Sequence, residues 1–180
     1  MERGSKRKAV SGRPSAVSQS YELAARVGAL LKGRRLTLAV AESCTGGLLM
    51  HYLTDVPGSS RYFEGGVVAY SYEAKERVLG VSHEMLYDHG AVSEPTALEM
   101  ARGVRRTLGA DVGVAITGIA GPGGEMPGKP VGLVFIALSA PGVERCEQYT
   151  WAGDRAGNKE QSALAALRLL LRYLEGEGDM

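Results

Sequence analysis

An apolar run, Leu36-Thr37-Leu38-Ala39-Val40, breaks into a turn of small residues, Ala41-Glu42-Ser43-Cys44-Thr45-Gly46-Gly47. The chain then reopens as Leu48-Leu49-Met50-His51-Tyr52-Leu53. The first run reads as a buried strand and the last as a helix. A strand that enters a helix through so short a turn places that turn at a helix N-terminus. There the first N–H groups are unpaired and the helix dipole favours negative charge. A serine, a cysteine, a threonine and two glycines at such a point have two readings. They hold an anion or carry a nucleophile, or they are a Ser/Thr N-cap with glycines for close packing.

A second Gly-rich turn has the same placement. Thr117-Gly118-Ile119-Ala120-Gly121-Pro122-Gly123-Gly124 follows the strand-like stretch Asp111 to Ile116. In open α/β sheets ligands bind beyond the carboxyl ends of the strands. Two such turns, each with a hydroxyl and glycines, can close one pocket; the alternative is an ordinary loop.

The remaining pattern fixes the fold class. Leu23, Ala24, Val27, Leu30 and Leu31 recur at helical spacing from Tyr21 to Lys32, with Gly33 as the stop. Gly65 to Tyr70 reads as a buried strand, and Ser71 caps a helix from Tyr72 to Leu79. A short helix is expected near 83–88, and Ser93-Glu94-Pro95 opens a longer one to Leu108. Val131 to Ser139 and Val143 to Trp151 form a hairpin through Pro141-Gly142. Asp154 caps the last helix, whose inner face is Leu164, Leu167, Leu170, Leu171 and Leu174. Helices alternating with apolar strands, then a hairpin, predict an α/β fold: a single-domain α/β/α sandwich whose mixed sheet is covered by helices on both faces. That domain is expected over 20–175. Residues 1–19, with Arg3, Lys6, Arg7, Lys8 and Arg13, read as a basic disordered tail, and 176–180 as a short tail.

Composition narrows the partners. With 180 residues, 44% of them hydrophobic, the chain can bury a sizeable core. A net charge of +1 provides no field to recruit nucleic acid. Cys44 and Cys146 are too few for a disulfide framework, which fits a reduced, cytoplasmic setting. No apolar run approaches the ~18 residues of a membrane span, and the N-terminus lacks a signal peptide's apolar core. A homo-oligomer is left open.

Several chemistries find no support. Gly123 to Lys129 imitates a P-loop, but Pro130 supplies no hydroxyl and a strand follows where a helix is required. No G-x-G-x-x-G lies between a strand and a helix. His51, His83 and His89 are scattered, so neither a metal nor a cofactor is expected. Lys75 stands out because it falls in the first turn of the helix that Ser71 caps. A helix N-terminus disfavours its charge, and a partly buried lysine there gives up its proton more easily. Most lysines are solvated, but a neutral one can serve as base toward a serine hydroxyl.

Six segments occur in order: Ala41 to Gly47, Gly66-Val67-Val68-Ala69-Tyr70-Ser71 with Glu73-Ala74-Lys75, Gly90-Ala91-Val92-Ser93-Glu94, Thr117 to Pro122, Lys129-Pro130-Val131-Gly132 and Gly153-Asp154-Arg155. Together they resemble the C-terminal domain of the competence/damage-inducible protein CinA, over about residues 20–174 in the domain-sized sense. Stand-alone members of that family are nicotinamide mononucleotide deamidases. The resemblance implies one α/β/α domain and a metal-independent Ser/Lys amidohydrolase acting on a small-molecule nucleotide, in pyridine-nucleotide salvage. It puts the nucleophile on Ser43, the general base on Lys75 and an assisting tyrosine on Tyr70. Thr117, Gly118 and Arg155 match substrate-pocket positions. The backbone of Cys44, Thr45, Gly46 and Gly47 is a candidate oxyanion hole or phosphate seat. Cys44, a thiol at a helix N-terminus, is the alternative nucleophile. Tyr72 stands where the family usually has an asparagine, and Asn158 and Lys159 where an aliphatic residue and an arginine are common. The rival expectation is a nucleotide-binding or protein-interaction module that has lost turnover.

Overall fold

A computed structural model describes residues 18–176. The tails read at 1–19 and 176–180 lie outside these residues except at Ser18, Gln19 and Gly176. The first two belong to the first helix, α1 (Gln19–Arg34), which Ser18 caps by accepting the Tyr21 N–H. This helix outruns the expected stop at Gly33. It ends at Arg35, in the left-handed region at φ 57. The N–H groups of Arg35 and Leu36 turn back onto the carbonyls of Leu31 and Lys32, which offsets the cost of a non-glycine residue there.

Strand β1 (Leu38–Glu42) leads to α2 (Leu48–Thr54), and a 3-10 turn at Ser59–Arg61 leads to β2 (Phe63–Val68). Helices α3 (Tyr72–Leu79), α4 (His83–His89) and α5 (Glu94–Leu108) follow. Next come β3 (Val112–Gly118), β4 (Leu133–Ala140), β5 (Val143–Thr150) and α6 (Arg155–Glu175). The sheet order is β2-β1-β3-β4-β5. The first three strands are parallel, and β4 and β5 continue as an antiparallel hairpin. β2 is not the buried strand expected: among the described residues it pairs with β1 on one side alone, and Glu64, Gly66 and Val68 are exposed.

The central strands sort their side chains by size. Leu38 and Val40 of β1, Val112, Val114 and Ile116 of β3, and Val134, Ile136 and Leu138 of β4 face one core. There they meet Val27 and Leu31 of α1, Leu49 and Leu53 of α2, and the leucines of α6. The opposite face presents Ala39, Ala41, Ala115 and Ala137 to Met100, Ala101 and Val104 of α5 and to Leu79 of α3. Small residues let α5 lie close to the sheet. A Cβ on Gly113 would overlap the Ala101 carbonyl, and one on Gly103 the Leu79 carbonyl. Backbone cannot yield as a side-chain tip can, so Gly113→Ala is expected to destabilise the fold by about 1–3 kcal/mol. Denaturant unfolding checks this, and an unchanged midpoint would contradict the close packing.

Because β1 and β3 are adjacent and parallel, both Gly-rich turns emerge at the same end of the sheet, beyond the carboxyl ends of these strands. The Ser43 N–H donates to the Ile116 carbonyl at 2.9 Å, which ties the first turn to the strand that feeds the second.

Candidate active site

The first turn is held from beneath by a carboxylate. Glu42 ends β1 with its side chain fully buried. Its Oε2 accepts the Gly47 N–H and its Oε1 the Met50 N–H, both at 2.9 Å. The residue at the N-cap of α2 is Gly47, at φ 102, and it has no side-chain cap. The expected Ser/Thr cap is therefore replaced by Glu42, whose negative charge suits the helix dipole. The same bonds occupy the Gly47 amide, and the Gly46 N–H turns back to the Ser43 carbonyl. The positive end of α2 thus already faces a resident anion.

Above this platform sit Ser43 and Lys75. The Lys75 Nζ lies 3.1 Å from Ser43 Oγ and donates to the Ala69 carbonyl at 2.7 Å. Lys75 is 1% exposed and Ser43 8%. Position follows from local structure: Ser71 caps α3 by accepting the Ala74 N–H, and Lys75 projects from the helix's first full turn. Burial strips water from the ammonium and pulls its pKa from 10.5 down to about 8. A fair fraction of Lys75 is then neutral near physiological pH and able to take the serine proton.

Cys44 behaves oppositely. Burial, with the nearby Glu42 carboxylate adding to it, pushes its thiol up to about 11. The activation expected for a thiol at a helix N-terminus does not develop, because burial disfavours the thiolate and Glu42 has taken up the helix end.

A cavity of about 360 Å³ opens over the pair, with Tyr70, Tyr72, Thr117 and Arg155 among its walls. Thr117, at the end of β3, is buried and donates through Oγ1 to the Ala91 carbonyl at 2.6 Å. Gly118 also lines the cavity, pressed so closely on Leu133 and Val134 that no side chain fits. Arg155, at the start of α6, spans the mouth. Its Nη1 donates to the Gly121 carbonyl at 2.7 Å and its Nη2 to the Tyr70 hydroxyl at 2.9 Å. Tyr70 is 60% exposed, and among the described residues no hydrogen bond joins it to Lys75 or Ser43. Thr45, Gly46 and Gly47 are not among the cavity-lining residues; Thr45 is fully buried, its hydroxyl without a partner among the described residues.

Sequence reasoning assigned no role to two supporting residues. Glu42 has no signal beyond being a polar residue at the end of an apolar strand. Asn158 had one, a polar side chain on the inner face of α6. It is buried, donates to the Ala120 carbonyl and accepts the Gly153 N–H, so it clamps the second turn to the loop before α6. A larger cleft of about 920 Å³, beside Arg102, Arg105 and Arg106, lies near the β4–β5 hairpin and has no nucleophile paired with a base. Among the described residues no cluster of three or more His, Cys, Asp or Glu could hold a metal ion, and no helix is long and apolar enough to cross a membrane.

The comparisons agree with this architecture. A CinA-like protein of Syntrophotalea carbinolica is 52% identical over 152 residues, covering 84% of this chain and 37% of that protein. This chain therefore spans little more than a third of that relative's length. The crystal structure of the competence damage-inducible protein A (ComA) of Klebsiella pneumoniae is 37% identical. It superposes with a TM-score of 0.85 over 88% of this chain and 98% of its own. The competence/damage inducible protein CihA of Agrobacterium tumefaciens is 38% identical with a TM-score of 0.84, over 89% and 99% of the two chains. Residues 20–174 match the family model of the CinA C-terminal domain, and the chain belongs to that family.

Proposed function

We propose that this domain hydrolyses the carboxamide of nicotinamide mononucleotide to nicotinate mononucleotide and ammonia, a step of pyridine-nucleotide salvage in the cytoplasm. One observation carries the reading: a buried serine hydroxyl 3.1 Å from a buried lysine amine, at the floor of an open cavity. Neutral Lys75 takes the Ser43 proton as Oγ attacks the amide carbon. The tetrahedral intermediate collapses, and the departing nitrogen takes the proton from the Lys75 ammonium and leaves as ammonia. Water then attacks the Ser43 ester, giving its proton to Lys75, and the carboxylate product is released as Ser43 regains its hydrogen. Of the amides at 44–47, those of Gly46 and Gly47 have acceptors already. Of the remaining two, Cys44 lines the cavity and its amide is the candidate to face the developing oxyanion. The test is ammonia release from nicotinamide mononucleotide by the purified protein. Tight nucleotide binding without ammonia would favour the module that has lost turnover.

Arg155 enters as the phosphate contact. A guanidinium has five N–H donors, and Gly121 and Tyr70 take two. The other three stay available at the cavity mouth. A charge-assisted bond of this type contributes about 1.5–3 kcal/mol. Arg155→Ala is expected to lower kcat/KM for the mononucleotide about tenfold or more and to leave the riboside little changed. Steady-state kinetics on both substrates decides this, and an unaltered preference would remove Arg155 from phosphate recognition.

A further inference from the structure

Tyr72 is a cavity wall for which the reaction has no use. It lies one helical step from Lys75 on α3, three residues apart on the same face, and both side chains line the cavity. Its ring is fixed from two directions. The hydroxyl oxygen accepts the Ala91 N–H at 3.2 Å. The ring makes a T-shaped contact with the Tyr87 ring, with centroids 5.5 Å apart and planes at 71°. Tyr87 in turn stacks on His83 at 4.1 Å, and His83 is held by Glu76 at 2.8 Å. The Ala91 carbonyl receives the Thr117 hydroxyl, so the tyrosine is anchored to the opposite wall as well. A ring held in this way adapts little and offers a preformed flat surface beside the reacting amine.

We propose that Tyr72 is a specificity-determining residue: its aromatic face receives a flat, positively charged heteroaromatic ring that carries the scissile carboxamide. The inference rests on the amidohydrolase reading for the location of the carboxamide. With the amide carbon at Ser43 Oγ, a ring bonded directly to that carbon must lie beside Lys75, in the cavity whose wall includes Tyr72. A cationic ring is drawn to the electron-rich face of tyrosine, and the attraction grows as water is excluded. Above about pH 8 Lys75 is mostly neutral and places no competing charge at that end of the cavity, so binding is measured at pH 9. A saturated or neutral ring bearing the same amide gains shape contact alone.

Two simple probes separate charge from shape: 1-methylnicotinamide, whose ring is cationic, and nicotinamide, whose ring is neutral. Their dissociation constants are measured by NMR titration in the parent, Tyr72→Phe and Tyr72→Leu, alongside kcat/KM for nicotinamide mononucleotide. The parent and Tyr72→Phe should favour the cation by about threefold to tenfold. Tyr72→Leu should bring the two probes near parity and lower kcat/KM by a similar factor. Tyr72→Phe keeps the ring and loses the Ala91 tether, so it separates the aromatic face from the anchor. If Phe behaves as Leu does, or if Leu keeps the parental preference, or if the parent does not distinguish the probes, the proposal is overturned. The binding arm needs no turnover. A cation preference that vanishes in Tyr72→Leu, in a protein that releases no ammonia, would sustain the role of Tyr72 and refute the deamidase reading. Ammonia release with a preference indifferent to Tyr72→Leu would do the reverse.

Discussion

Ser43→Ala should reduce ammonia release from nicotinamide mononucleotide on the order of 10³-fold or more while leaving the fold and nucleotide affinity nearly intact. The substitution removes one oxygen from a site where that oxygen faces Lys75 Nζ at 3.1 Å. The backbone of the turn stays fixed by Glu42 and by the Ser43 N–H bond to Ile116. The neighbouring thiol cannot take over. Its pKa of about 11 leaves almost no thiolate near neutral pH, and thiolate is the reactive form. Cys44→Ala should accordingly keep activity within a factor of about three. Steady-state rates of the two variants, with circular dichroism to verify folding, separate the possibilities. Full activity in Ser43→Ala together with loss in Cys44→Ala would transfer the nucleophile to the thiol.

Much of the architecture could be read from local signals. Ser71, Ser93 and Asp154 each cap the helix expected of them, since a short polar side chain that accepts an early N–H is chosen by neighbours only a few residues away. Pro141-Gly142 turns the expected hairpin for the same reason. The strand order was beyond such reasoning. That β2 sits at the edge and β1 beside β3 depends on which helices cover which face, and pattern within one strand carries no record of it. The close approach of α5 became visible only once Gly103 and Gly113 were seen against carbonyl oxygens.

The candidate site divides along the same line. Both Gly-rich turns announce themselves by composition, and the sheet brings them to one end of its parallel strands. The meeting of Ser43 with Lys75 is a different matter. Thirty-two residues and the crossover through β2 separate the two, and nothing in their spacing says that the side chains touch. The family resemblance supplied that pairing. Least legible was the role of Glu42. A strand residue between an alanine and a serine gives no hint that its carboxylate turns beneath the next helix to hold two amides. Thr45 shows the converse: a hydroxyl in a promising turn that points into protein, away from the cavity lining.

On the proposed mechanism Lys75 would couple activity to stability with opposite signs, which makes it the sharpest test of that mechanism. Its pKa falls from 10.5 to about 8 because burial penalises the ammonium. Between those values the unfolded chain holds a proton that the folded one has released. The unfolded state binds more protons there, so stability rises with pH across that window, by about 3 kcal/mol in all. Below about pH 8 the full penalty is present. Lys75→Met keeps the length of the side chain and removes the charge, at the cost of an unpaired Ala69 carbonyl. It should be inactive yet more stable than the parent at pH 7 by about 1–2 kcal/mol. That advantage should shrink as pH climbs from 8 toward 10.5, and the parent alone should show the rise. Activity reports the same ionisation: parental kcat/KM should rise with pH, pass half its maximum near pH 8 and level off about one unit above. Lys75→Arg, charged at every accessible pH, should lose both the activity and the inflection. Denaturant titrations and rates on parent and variants over pH 6–10.5 supply both readouts. An active Lys75→Arg with the parental pH profile would make Lys75 a fixed positive charge in the site and dismiss it as the base. A Lys75→Met protein that gains no stability at pH 7 would show that burial at this position costs far less than the lowered pKa requires.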